Sequence, residues 1–412
     1  MILPQLSPLD MAVVTALALP LIVLHAGVVN AILAAIQLCF HGARVPLEYI
    51  YARFLTRRRD QHPAIRDTTI FEGFMIRGIR VFFPLIPREV FKTTLSTELW
   101  TIVLRWRLLS RGFFKLPVHA ERVDIRNLGV SCKATWIKQN PTETPDVVVY
   151  YVHGGGFGVG SVAFYLEYLL AWHDLLVKAG FKNPAILALD YTLAPEKVYP
   201  TQILEVLQGY RVALETAGDA SKICLAGDSA GGALLLSLLL EIGAQAGMDK
   251  LRRRNNKASE AGTDPRGRLA APGMAILISP WVTLQSKLHG KSPVDYLERE
   301  RLWAYGRQYA GQEAMLSLSP ASPGSCRDEA MWKAASPTKG YYVMLGKGEM
   351  LSGDIDDFVA RQKGYGVRVN TLEDASGIHA WPMVRFILSS PERRLEGVDA
   401  IVKEISANFA HK

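Results

Sequence analysis

The spacing of apolar positions changes character along the chain. From Met11 to Ala43 there is no Asp, Glu, Lys or Arg, and the run MAVVTALALPLIVLHAGVVNAILAAIQLCF is long enough to cross a bilayer as one helix. From about Glu48 to Leu116, apolar residues recur at three- and four-residue intervals through FEGFMIRGIRVFFPLI and LWTIVLRWRLL, the period of helices that cover another surface. From about Val118 the pattern turns to alternation in HAERVDIRNLGVSCKATWIKQ, which predicts two antiparallel strands joined near Asn127 to Gly129.

Short apolar runs follow, separated by helical segments: VVVYYV, AILALDY, KICLAG, MAILIS, YYVMLG and VRVNTL. Strands of this kind alternating with helices imply a mostly parallel sheet with helices on both faces. Residues 249–268 are charged and poor in large apolar side chains, which predicts an exposed loop. Residues 282–339 contain VDYLERERLWAYGRQYAG and read as an inserted helical cap. The chain thus divides into a hydrophobic anchor (1–43), a helical region contributing to the cap (44–116) and an α/β domain (117–412).

Composition allows a large core, with 49% hydrophobic and 21% charged residues. The formal charge of +8 resides almost wholly in two segments. Five Arg stand against two acids from Arg44 to Asp60, and seven basic residues against three acids from Asp249 to Arg268. Nucleic-acid binding needs a basic face that tracks phosphates, and the nearly neutral remainder offers none. Cys39, Cys132, Cys224 and Cys326 are scattered, without metal-ligand spacing. The apolar terminus lacks the basic n-region of a cleaved signal peptide, so a retained membrane anchor is expected. Packing of this stretch on the lid as a hydrophobic hairpin is the alternative, because Pro20, His25, Gly27, Asn30 and Gln37 interrupt it. Arg44, Arg53, Arg57, Arg58 and Arg59 follow it with no basic residue before it, which by the positive-inside rule places the remainder in the cytosol. No Asn-x-Ser/Thr acceptor occurs.

Chemistry concentrates at Gly227-Asp228-Ser229-Ala230-Gly231, where KICLAG hands over to the helical ALLLSLLLEIGA. A serine on a sharp strand-to-helix turn exposes its Oγ at the sheet edge, provided that its neighbours are small enough for close backbone approach. His153-Gly154-Gly155-Gly156-Phe157 lies 76 residues earlier, after VVVYYV. Its glycines can turn amides toward one point, and acyl transfer needs donors where a tetrahedral oxyanion develops. Gly154, Gly155 and Ala230 are the expected donors. The base should follow the nucleophile and the acid in chain order, which selects His379 in DASGIHAWP. The acid belongs after YYVMLG, in GKGEMLSGDIDDF. Glu349 is preferred because Asp354, Asp356 and Asp357 read as the acidic start of the next helix. This constellation requires no metal and no organic cofactor. The aromatic cap, with Trp281 and Trp381 near predicted strand ends, suits a small lipophilic ester, although either Trp also fits plain core packing.

HGGGF, Asp190-Tyr-Thr-Leu-Ala-Pro-Glu196, Tyr199-Pro200 and GDSAGG together resemble the hormone-sensitive lipase group of α/β-hydrolases over roughly Val147 to Ala410. The resemblance implies an α/β-hydrolase fold and carboxylic ester hydrolysis by a Ser229–Glu349–His379 triad, with Asp190 and Glu196 structural. That group usually carries Asp at the acid position. The Gly-Lys-Gly-Glu349 loop is similar to that of fungal membrane-anchored steryl acetyl hydrolases, which implies acetyl esters of a sterol or secondary metabolite and an endoplasmic reticulum membrane, with the catalytic part lumenal. That placement opposes the charge rule, so orientation stays open. Two other functions share the scaffold. An acyltransferase would use the same residues, whereas ligand-binding receptors resembling this group lack the histidine that His379 supplies.

Overall fold

The computed structural model describes residues 2–127, 129–254 and 269–410. Eight strands among them form one sheet: β1 (His119–Asn127), β2 (Val130–Lys138), β3 (Val147–Val152), β4 (Pro184–Asp190), β5 (Ile223–Asp228), β6 (Met274–Ile278), β7 (Tyr341–Gly346) and β8 (Val369–Asp374). Their spatial order is β1-β2-β4-β3-β5-β6-β7-β8. β1 and β2 pair antiparallel, from His119 opposite Lys138 to Asn127 opposite Val130. β2 also runs antiparallel to β4, and from β4 to β8 all neighbours are parallel.

The continuous apolar runs take the central positions because helices cover both faces there. Every residue of β3, β5, β6 and β7 is buried. Val206, Tyr210 and Leu234 to Leu236 pack on one face, from helices Thr201–Ala217 and Ser229–Arg254. On the other, helices Val162–Lys178, Trp381–Leu388 and Glu396–Phe409 contribute Leu169, Trp172, Phe386 and Ile401. β8 begins two residues later than the expected VRVNTL and ends at Asp374.

From β3 the chain moves outward to β4 and then returns to lay β5 against the opposite side of β3. Crevices for ligands form beyond the carboxyl ends of parallel strands at such a reversal. Register brings those ends level, with Val152 opposite Gly227, Asp228 opposite Ile278 and Ile278 opposite Met344.

The helix after Ser229 continues to Arg254, so residues 249–254 are helical rather than the expected loop, and 255–268 lie outside the described residues. Lys250 and Arg252 to Arg254 are good helix formers, which accounts for helix where charge density predicted a loop. Between β6 and β7 lie helices Arg299–Ala310 and Glu329–Ala335 and two short 3-10 turns, all within the segment expected as a cap.

The N-terminal stretch is helical over Pro8–Leu21 and Gly27–Gly42, with a π turn at Ile22–Ala26 between. Gly27, at φ +83°, interrupts the single helix expected. Pro8–Leu55 remains long and apolar enough to cross a membrane. Its start is fixed by charge: Arg107, on helix Thr97–Leu109, is only 1% exposed and donates to Asp10 Oδ2, Glu167 Oε1 and the Pro4 carbonyl, each at 2.6 Å. Removing one partner of a buried ion network leaves the others uncompensated, at about 3–5 kcal/mol. Arg107→Met is therefore expected to lower unfolding stability by about that amount, read from urea-induced unfolding in detergent. Unchanged stability would show that these charges are dispensable.

Candidate active site

β5 ends at Asp228 and the next helix begins at Ser229, leaving one residue to make the turn. Ser229 makes it at φ +50°. A left-handed conformation at a non-glycine residue costs on the order of 1–3 kcal/mol and persists only where its surroundings enforce it. Here the enforcement is close backbone contact. A Cβ added at Gly231 would stand 2.0 Å from the Val152 carbonyl oxygen, and one at Gly227 2.6 Å from the same atom. Among the described residues, three other non-glycine positions have positive φ: Phe157, Ser279 and Ala380. Each follows the carboxyl end of a different strand, so the strained positions gather along one edge of the sheet.

The loop after β3 meets this turn through Asp228. One of its carboxylate oxygens accepts the Tyr151 hydroxyl at 2.7 Å and the Gly154 amide at 3.0 Å, and the other accepts the Tyr165 hydroxyl at 2.8 Å. The Gly154 amide was expected to face an oxyanion; it is instead committed to Asp228, which corrects that assignment. A Cβ on Gly154 would lie 2.3 Å from Asp228 Oδ2, so glycine is needed there for packing. Among the described residues the Gly155 and Gly156 amides have no acceptor. Their φ values, +104° and +60°, turn this stretch of backbone over. Ala230, second in its helix, has no intrahelical partner for its amide by position. His153 is buried and stacks on Tyr191 at 4.5 Å between ring centres, a packing role.

Glu349 and His379 approach one another from the loops after β7 and β8. Glu349 Oε2 lies 3.7 Å from His379 Nδ1, and both residues are buried. This is longer than a hydrogen bond, and among the described residues neither His379 Nδ1 nor Glu349 Oε1 has another partner. Catalytic hydrogen bonds often tighten only when substrate binds. Of the other acids weighed, Asp354 accepts the Thr283 amide at 2.9 Å, Asp357 pairs with Arg361 and Arg327, and Asp356 is exposed. Ser229 Oγ and His379 make no direct hydrogen bond in this structure. The Ser229 carbonyl accepts the Trp281 amide at 3.0 Å, two residues beyond Ser279, whose hydroxyl accepts the Ala380 amide next to His379.

Two residues that sequence reasoning passed over hold the acid and the histidine. Ser279, just after β6, donates its hydroxyl to Glu349 Oε2 at 2.5 Å and accepts the Ala380 amide at 3.0 Å. Asp295, fully buried, accepts the amides of Met350, Tyr296 and His379 at 2.8, 2.9 and 3.2 Å. The position of Ser279 after a predicted strand was a usable signal; Asp295 lay unmarked inside the expected cap. Burial pushes the Glu349 and Asp295 carboxyls upward. Burial alone would depress His379, but the charges of Glu349 and then Asp295 outweigh it and raise the imidazole above its usual 6.5.

The remaining candidates are structural in their contacts. Asp190 accepts the Val162 amide at 2.7 Å, while Glu196 accepts Arg88 at 2.7 Å and also Lys92, tying helix Arg88–Thr94 to this loop. Trp281 is fully buried, with its ring 5.3 Å from that of Phe157. Trp381 packs in the core of the opposite sheet face, under Arg385.

The α/β hydrolase fold family matches residues 149–383, more than half of the chain. The chain belongs to this family. A Schizosaccharomyces pombe protein, mug81, provisionally named a steryl acetyl hydrolase, is 26% identical over 322 residues, covering 75% of this chain and 76% of its own. An acetyl-hydrolase of Streptomyces hygroscopicus is 27% identical over 281 residues, covering 66% and 80%. A fungal esterase structure from Rhizomucor miehei superposes with a TM-score of 0.61 at 21% identity, covering 83% of this chain and 98% of that one. An esterase of the bacterial hormone-sensitive lipase family does so at 0.57 and 23%, covering 82% and 98%. Within the α/β hydrolases, the chain falls in the hormone-sensitive lipase-like group.

Asp228 joins three segments of this hydrolase through one carboxylate. Its replacement by Ala leaves two buried tyrosine hydroxyls and an amide without their acceptor, and each such loss costs on the order of 1–3 kcal/mol. Asp228→Ala should therefore destabilise the fold by at least about 3 kcal/mol. Adding Tyr151→Phe should recover part of that loss, because it removes one orphaned hydroxyl. Urea unfolding of the single and double variants checks this, and strict additivity would contradict it.

Proposed function

We propose that this chain is a carboxylic ester hydrolase in which Ser229 is the nucleophile, His379 the general base and Glu349 the acid that orients it. The observation carrying this reading is the strained turn at Ser229 together with the unengaged amides of Gly155, Gly156 and Ala230. Attack of a serine oxygen on an ester carbonyl places negative charge on the carbonyl oxygen, and fixed amides lower the barrier most when they need no reorganisation. His379 takes the Ser229 proton during attack and returns it to the departing alcohol, leaving an acyl-enzyme. Water activated by the same imidazole then releases the acid and restores Ser229. Ser279 and Asp295 are positioning residues, fixing the loops that carry Glu349 and His379.

Acetyl esters of a lipophilic alcohol are the proposed substrates. The names of the two relatives support a short acyl group, and the steryl name of one supports an apolar alcohol. Membrane association through Pro8–Leu55 agrees with such a substrate, since only 11% of its most apolar stretch is buried.

Ser229→Ala should lower p-nitrophenyl acetate hydrolysis at least about 10³-fold, and a wild-type rate would remove Ser229 from the mechanism. The pH profile supplies an independent check. The base must be neutral, and His379 is held above 6.5, so kcat/KM should fall toward acid pH with a midpoint above 6.5. Glu349→Gln removes the charge that raises His379. The midpoint should move down while kcat drops roughly 10²-fold or more, and an unmoved midpoint would assign the acid role elsewhere.

A further inference from the structure

The buried Ser229 and His379 require a route to them through protein. We propose that the apolar cavity between the N-terminal helices and helices Ile70–Phe82 and Arg88–Thr94 is the binding site for the alcohol part of the ester, filled from the bilayer. This rests on the esterase reading above and names where that substrate lies. The cavity has a volume of about 800 Å³ and is walled by Leu19, Ile22, Ala34, Ile79, Phe82 and Phe91, among others. Pockets of several hundred Å³ accommodate small organic ligands. Among the described residues, the polar side chains along its wall are Thr15 and Thr94. Both hydroxyls are already bound to carbonyls of their own helices, Met11 and Phe91, each at 2.9 Å. The wall therefore offers an occupant apolar contact and no unmet polar group, which selects a hydrocarbon skeleton.

The outer side of the same helices fits a lipid source. Leu24, Val29 and Phe40 are 73%, 70% and 80% exposed, and Arg57, Arg58 and Arg59 follow them in the chain. Large exposed apolar side chains flanked by Arg are the composition of a bilayer-facing surface. The inner side leads to the catalytic edge through aromatic rings. Phe91, on the cavity wall, lies 5.8 Å from Phe83 between ring centres. Phe83 in turn lies 6.3 Å from Tyr296 and 6.4 Å from Tyr305. Tyr296 packs on His379 at 5.9 Å, and Tyr305 lies against Gly156, 3.3 Å from where its Cβ would be. Phe83 thus packs between a wall residue of the cavity and the two tyrosines beside His379 and Gly156.

Gly78 permits a test that adds bulk without disturbing the fold. It lies in the middle of helix Ile70–Phe82, borders the cavity, and a Cβ placed on it meets nothing within 4 Å. Leucine also favours helix over glycine, so Gly78→Leu fills the cavity while supporting its own helix. The measurement is the ratio of kcat/KM for hexadecyl acetate in phosphatidylcholine vesicles to that for p-nitrophenyl acetate in water, on the full chain. The expected result is a fall in that ratio of about tenfold or more, with a parallel rise in the inhibition constant of hexadecanol against p-nitrophenyl acetate. An unchanged ratio and an unchanged inhibition constant would overturn the cavity assignment. Failure of the esterase reading looks different, because p-nitrophenyl acetate turnover would then be absent or indifferent to Ser229→Ala.

Discussion

The Asp228 carboxylate is the interaction on which the catalytic edge depends. It belongs to β5 yet takes its donors from elsewhere: Tyr151 from β3, Gly154 from the following loop and Tyr165 from helix Val162–Lys178. A buried carboxylate is tolerated when hydrogen bonds replace its hydration, and three donors meet that need. In return the carboxylate fixes Gly154, so the next two amides emerge at a set position beside the Ser229 turn. The glycines at 227 and 231 serve the same end by letting β5 and its helix close against the Val152 carbonyl. Charge satisfaction and steric permission thus act at one junction, where the strand order reverses.

A second polar assembly does for Glu349 and His379 what Asp228 does for Ser229. Ser279 spans the acid loop and the histidine loop with one hydroxyl, donating to Glu349 and accepting from Ala380. Asp295 spans them with one carboxylate, bound to the amides of Met350 and His379. The hydrogen bonds of Ser279 and Asp295 go to the loops carrying Glu349 and His379 and, for Asp295, also to its neighbour Tyr296. Their effect is to hold two loops from different strands in register, and a loop otherwise has little to fix it to within an ångström.

These two assemblies also mark how far the sequence could be read. The parallel sheet was legible because β3, β5, β6 and β7 are uniform apolar runs, and uniformity follows from burial on both faces. The proximity of Glu349 and His379, and the strand-to-helix turn at Ser229, were anticipated because the proposed chemistry needs particular residue types in a fixed chain order. Gly154 was misassigned because the run of three glycines does not say which amide another residue occupies, and the acceptor that takes it is 74 residues away. Asp295 was invisible for a related reason. It lies in a segment whose helical period marks cover, and a single acid there carries no sign of being fully buried beneath His379. The helical course of residues 249–254 was missed because charge density was read as loop, although Lys and Arg are good helix formers.

The N-terminal helices show why anchor and packing are compatible readings of one stretch. Their buried residues include the small Ala18, Ala26 and Ala34, set against Leu99, Val103, Ile86 and Val90, while Leu24, Val29 and Phe40 face outward. A surface helix in water buries its large apolar side chains and exposes polar ones, so this distribution is inverted for an aqueous setting. Small residues inward allow close approach of backbones, the packing used where the surroundings are as apolar as the side chains. What holds the segment to the rest of the chain is then this close contact, the partly buried Val14, Leu17, Leu21 and Ile22, and the Asp10–Arg107–Glu167 network. A stretch fixed at its start by buried charges, and along its length by alanines, keeps its large apolar side chains on the outside, as the membrane association proposed above requires. The apolar cavity lies behind that outer side, walled by Ala18, Ile22 and Ala34 of the same stretch and by Ile79, Phe82 and Phe91.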